Sequence, residues 1–195
     1  MFGLLRKKDP SKLLKEATAA KQSGNLDEAI SLLRTAYKAI SKSDIDYGIK
    51  TFLRLPLYMQ EANRPEGAWN EFDNLLNKGY PNQSNDPQLV PMNHSEIYDK
   101  MRLFLQREGK NDEAVKYGIF SHLSWATGLF LQKRRNEFKD FVSAETLEDI
   151  VLKLLKKAKK SNLAEKVSNI VKHEIKNIPY VDYEALGTKI DNVLS

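Results

Sequence analysis

The stretch Ala17-Thr18-Ala19-Ala20-Lys21-Gln22-Ser23-Gly24-Asn25-Leu26-Asp27-Glu28-Ala29-Ile30-Ser31-Leu32-Leu33-Arg34-Thr35-Ala36 decides how this chain folds. Small residues recur at Ala17, Ala20, Gly24, Ala29 and Ala36, the places where two antiparallel helices would have to touch. A short side chain there lets the helix axes approach closely. Gly24 accepts the left-handed conformation that ends a helix, and Asn25 with Glu28 three residues on makes a capping arrangement that opens the next. Leu13, Leu14, Ala17 and Ala20 form one apolar stripe at helical spacing, and Ala29, Ile30, Leu33, Ala36 and Tyr37 form the second. The spacing predicts a helical hairpin over 11–41.

The same pattern returns downstream. A second hairpin, over 47–78, runs through Thr51-Phe52-Leu53-Arg54-Leu55-Pro56-Leu57-Tyr58-Met59, a turn at Ala62-Asn63-Arg64-Pro65-Glu66, and then Ala68, Trp69, Phe72 and Leu75. Pro56 stands where a small residue is usual, and a proline inside a helix removes a backbone hydrogen bond. A bend or an early helix start is expected there. The third hairpin, over 95–132, carries Ile97, Tyr98, Met101 and Leu105, a turn at Glu108-Gly109-Lys110-Asn111, and Ala114, Val115, Gly118 and Ser121. A fourth, over 145–177, turns at Ser161-Asn162 and keeps Ala164. Leu186, Ile190, Val193 and Leu194 suit a final capping helix over 182–194.

These copies resemble the tetratricopeptide repeat, a family of stacked helical hairpins in which no unit buries its apolar face alone. The resemblance implies an all-α solenoid of about four antiparallel hairpins with a C-terminal capping helix. It is read as a single domain over 10–195 behind a tail at 1–9. The family repeat is about 34 residues long, whereas Ala29, Ala68, Ala114 and Ala164 lie 39, 46 and 50 residues apart. The surplus falls in connections, chiefly Lys78 to Asn93 and Lys133 to Ser143. Loops of that length are often functional, although an ordered loop covering one end of the stack is the commoner outcome. Strand signals are nearly absent; Gln88-Leu89-Val90 is the one stretch read as briefly extended.

A chain of 195 residues can bury a core as one continuous solenoid. It has no cysteine, which excludes a disulfide framework and thiolate metal sites and points to a cytoplasmic setting. No apolar run approaches the length of a membrane-spanning helix. The apolar part of Met1-Phe2-Gly3-Leu4-Leu5-Arg6-Lys7-Lys8 is too short for a signal peptide. Its Phe2, Leu4 and Leu5 beside three cations give one weak signal for an anionic membrane surface. His94, His122 and His173 fall on separate segments with no carboxylate pair at ligand spacing, and no phosphate loop, dinucleotide fingerprint or nucleophile elbow is present. The sequence therefore assigns no catalytic residue, no metal ligand and no cofactor.

Partner binding is the expected function. In tetratricopeptide arrays the first helix of each hairpin lines a concave face, and matching the copies through Ala29, Ala68 and Ala114 puts Lys15, Arg54 and Lys100 at one equivalent place. Lys21, Lys50 and Arg107 extend the same strip. A row of cations in a concavity attracts acidic segments, so the resemblance implies an adaptor that holds an acidic or helical segment of a protein partner. The family's carboxylate-clamp subclass is not expected, because Leu14 and Thr18 occupy its places in the first copy and Glu96 replaces a required cation in the third. The rival surface is the lysine cluster Lys153, Lys156, Lys157, Lys159 and Lys160, with Lys133, Arg134 and Arg135 upstream, suited to nucleic acid or an anionic surface. Residues 98–195 carry eighteen Lys and Arg against fourteen Asp and Glu, while 1–97 are nearly balanced. No aromatic ring interleaves with those lysines to stack a base. Homo-oligomer formation through uncapped solenoid ends stays open.

Overall fold

The computed structural model describes residues 9–195, so the expectations for Met1 to Lys8 lie outside the described residues. Among those described there is no strand, and the fold is built of helices joined by turns and loops. It divides into two compact units, one reaching to Ser84 and one spanning Asn85–Ser195.

The first unit contains α1 (Pro10–Gln22), α2 (Leu26–Ile40), α3 (Ile49–Phe52), α4 (Arg54–Glu61) and α5 (Pro65–Lys78). Helix α1 pairs with α2, α2 with α4, and α4 with α5. Leu33, Ile40, Leu53 and Phe72 are its largest fully buried side chains. The proline effect appears as an interruption. The helix stops at Phe52, and Leu53 serves as the N-cap position of α4, which places Pro56 in the first turn. The first N–H groups of a helix have no intrahelical partner, so the proline removes no hydrogen bond there.

The segment after α5 is ordered against the end of α2. The Asn82 side-chain amide donates to the carbonyls of Ile40, Ser43 and Ile45 at 3.0, 2.7 and 3.0 Å. Tyr80 stacks on Phe52 with ring centroids 4.8 Å apart.

The second unit contains α6 (Val90–Arg107), α7 (Asn111–Leu131), α8 (Arg135–Phe141), α9 (Ala144–Lys157), a 3-10 turn at Ser161–Leu163, α10 (Ala164–Ile175) and α11 (Tyr183–Leu194). Helix α7 is its centre, contacting α6, α8, α9 and α11. It is buried on several sides, from Ala114 through Leu129, which is why its apolar residues follow no single stripe. Gly118 marks the closest approach: a Cβ there would meet Leu154 Cδ2 at 2.5 Å.

Two sequence expectations are corrected here. Gln88 and Leu89 lie in a turn and Val90 begins α6, because Asp86 accepts from Gln88 N through its carboxylate and from Leu89 N through its carbonyl, at 2.9 Å each. The connection read over Lys133 to Ser143 contains α8, which makes a further hairpin with α7.

One turn recurs five times. Gly24, Asn63, Gly109, Lys133 and Lys159 each have φ between 57° and 82°. The next residue's N–H reaches back to the fifth carbonyl before it: Asn25 to Ala20, Arg64 to Met59, Lys110 to Leu105, Arg134 to Leu129 and Lys160 to Leu155, all at 2.9–3.0 Å. This is the Schellman closure of a helix. Five residues beyond the left-handed residue stand Ala29, Ala68, Ala114, Phe138 and Ala164. The first three alanines are no more than 1% exposed, as close helix pairing requires.

Candidate functional site

The six cations of the expected groove have different surroundings. In the first unit Lys15 is exposed on α1 and Lys50 is exposed on α3. Arg54 is built into the fold: its Nη2 donates to the Leu14 carbonyl at 3.0 Å and to Thr18 Oγ1 at 2.8 Å, joining α4 to α1, and its guanidinium lies 5.6 Å from the Tyr58 ring centre. Lys21 forms an ion pair with Glu61 at 2.7 Å and sits 5.0 Å from the same ring. In the second unit Lys100 pairs with Asp99 at 3.1 Å, and Arg107 is exposed at the end of α6. Burial works to raise the Asp99 carboxyl, but hydrogen bonds and charge from Arg102 and Lys100 outweigh it and leave it below the usual range. Lys21, Arg54 and Lys100 are thus engaged by neighbouring groups, and Lys15, Lys50 and Arg107 are exposed residues.

The lysine cluster of α9 is partly neutralised in the same way. Lys153 pairs with Asp149 one turn back. Lys157 donates to Gln106 Oε1 at 3.2 Å. Lys160 pairs with Asp112 at 2.9 Å and also bonds the Leu194 carbonyl. Lys156 and Lys159 are exposed.

His122 is 6% exposed and stacks on Phe141 at 4.1 Å. Burial pushes its pKa down to about 4, with a hydrogen bond to the Phe141 backbone opposing. Its Nε2 has no hydrogen-bond partner among the described residues, and the ring borders a shallow cavity of about 320 Å³ with Ser121 and Trp125. The neighbouring hydroxyls are engaged elsewhere: Ser95 Oγ donates to the Ser121 carbonyl at 2.8 Å and Ser121 Oγ to the Ser95 carbonyl at 3.0 Å. Among the described residues no carboxylate is seen to hydrogen-bond the imidazole. Among the described residues no group of three or more His, Cys, Asp or Glu side chains is placed to hold a metal ion, and no helix is long and apolar enough to cross a membrane.

A second cavity was not anticipated from sequence. Leu129, Phe130 and Phe138 wall an open pocket of about 570 Å³ between the end of α7 and α8, with Lys133, Arg135 and Lys139 around it. Phe130 is 45% exposed, and its ring meets that of Phe138 edge-on at 5.5 Å. The cause lies in the repeated turn. Where three other hairpins bury an alanine against the preceding helix, this one has Phe138, whose ring cannot lie so close.

Comparison of the chain with protein-family models, with curated proteins and with solved structures finds no match.

Proposed function

We propose that this chain is a non-enzymatic protein-interaction scaffold, a tetratricopeptide-like array that holds an acidic or helical segment of a partner. The recurrence of one Schellman turn at Gly24, Asn63, Gly109, Lys133 and Lys159, with alanine five residues on in four cases, carries the reading. Repeated hairpins of this kind supply binding surface rather than chemistry, and exposed cations, Lys15 and Lys50 on the first unit and Arg107 on the second, each add attraction for carboxylates on their own unit. The lack of cysteine supports a cytoplasmic setting.

The test is capture from a native lysate by the tagged full chain, with and without nuclease, followed by mass spectrometry. A stoichiometric protein that survives nuclease is expected, and the triple change Lys15→Glu, Lys50→Glu, Arg107→Glu should reduce its recovery at least ~10-fold. Arg54 is left intact because it helps hold α1 to α4. Unchanged recovery would dismiss these cations as the attracting groups. Recovery of mainly nucleic acid, lost on changing Lys153, Lys156, Lys157 and Lys160 to Ala, would replace the adaptor with a phosphate-binding function.

A further inference from the structure

We propose that copies of this chain associate head to tail, the Ile45 tip of one molecule seating in the Phe130 and Phe138 pocket of another. This goes beyond the scaffold reading and does not rest on it.

Ile45 is 59% exposed at the tip of an ordered loop. The loop is held from several directions. Asn82 bonds the Ile40, Ser43 and Ile45 carbonyls. Asp46 accepts from Gly48 N at 2.7 Å and from the Tyr80 hydroxyl at 3.4 Å. A fixed apolar tip loses little conformational freedom on docking. On either side of it stand Asp44 and Asp46, both exposed.

The pocket on the second unit has the opposite features. Its walls are apolar, its volume is ample for one aliphatic side chain, and Lys133, Arg135 and Lys139 rim it, all exposed. Arg134 is excluded from this count because Glu137 pairs with it. An Ile flanked by two carboxylates therefore meets an aromatic cavity flanked by three cations. The cavity is concave, so it receives a side chain; insertion into a lipid surface would need a protruding apolar element.

Tip and pocket are different surfaces, which makes the contact heterologous and able to propagate. It is also small, in the class of weak, transient interfaces below about 1,200 Å². Self-association near ~0.1 mM is accordingly expected.

Sedimentation velocity on the full chain, from ~10 µM to ~1 mM, tests this. The expected result is growth in size with concentration that weakens as salt rises, since exposed ion pairs are screened. Ile45→Ser and Phe130→Ala should each remain monomeric, and an equimolar mixture should form a heterodimer, because the first variant keeps its pocket and the second its tip. Lys139→Glu, an exposed substitution, provides a pocket variant that leaves the packing of Phe130 and Phe138 untouched and should also weaken association. A wild-type chain that is monomeric up to ~1 mM overturns the proposal. So does association that persists in all three variants, or a mixture that stays monomeric.

Discussion

His122 gives the second unit a built-in sensitivity to acid. Its imidazole is held neutral, with a pKa of about 4 against the usual 6.5. An unfolded chain therefore takes up a proton between those values that the folded chain does not. Stability is complete above about pH 6.5 and is lost as pH falls toward 4, with an upper bound of ~3 kcal/mol. Urea midpoints followed through Trp125 should fall between about pH 7 and pH 5, and His122→Leu should flatten that slope. Glu174 acts in a more acidic window: a hydrogen bond from Lys189 leads the effects that lower its carboxyl below the usual carboxylate range. It contributes stability above the unfolded carboxylate pKa that is lost as pH falls through the depressed value. Arg54 makes the other prediction at this scale. Arg54→Met removes a charged donor from the Leu14 carbonyl and from Thr18, and should cost the first unit ~1–2 kcal/mol, while Lys15→Glu, at an exposed position, should change it by less than ~0.5 kcal/mol. Denaturation monitored through Trp69 separates the two. Nothing in the sequence distinguished these cations. Arg54 meets Thr18 across 36 residues, and such a contact has no periodic signature.

The recurring turn is where element-scale legibility can be judged. Gly24 and Gly109 were readable because glycine is the residue that adopts positive φ at little cost, and Asn63 is a tolerated substitute. Lys133 and Lys159 adopt the same conformation with side chains that give no such signal, at φ values of 58° and 57°. That is why α8 passed for a connection and why the pocket beside it went unseen. It also required Phe138 and Phe130 to meet across α7 and α8, which depends on tertiary geometry. The hairpins over 11–41 and 47–78 and the helix over 182–194 were readable from small residues and apolar stripes, and the structure places helices there. A test follows from the conformational cost. A non-glycine residue in the left-handed region carries a penalty of roughly 1 kcal/mol, so Lys133→Gly and Lys159→Gly should each raise stability by up to ~1 kcal/mol. Gly109→Ala should lower it by about the same amount. Opposite signs at equivalent positions of one motif would distinguish a backbone effect from any effect of lost charge, and the Lys133→Ala control should show no gain.

For the whole molecule, the informative fact is that buried side chains gather within each unit. Leu33, Ile40, Leu53 and Phe72 are fully buried residues of the first unit, and Val115, Ile119, Leu123, Leu155, Leu186 and Ile190 belong to one buried cluster in the second, contributed there by α7, α9 and α11. A unit with its own core can fold without its neighbour, but the fraction of surface buried rises with chain length, and small units are marginal. The fragment 85–195 is therefore expected to fold alone, with cooperative loss of its helical circular dichroism on heating. The fragment 9–84 should fold with a lower midpoint. The chain contains two tryptophans, and they fall one in each unit, Trp69 on α5 and Trp125 on α7. In the intact chain Trp69→Phe leaves a reporter of the second unit, and Trp125→Phe leaves one of the first. If the units unfold separately, the two variants will show different urea midpoints that track those of the fragments. Coincident midpoints, together with an 85–195 fragment that lacks cooperative unfolding, would mean that the core around Leu123 and Leu155 is stable only with the preceding residues attached, as a continuous repeat array with nearest-neighbour coupling would require.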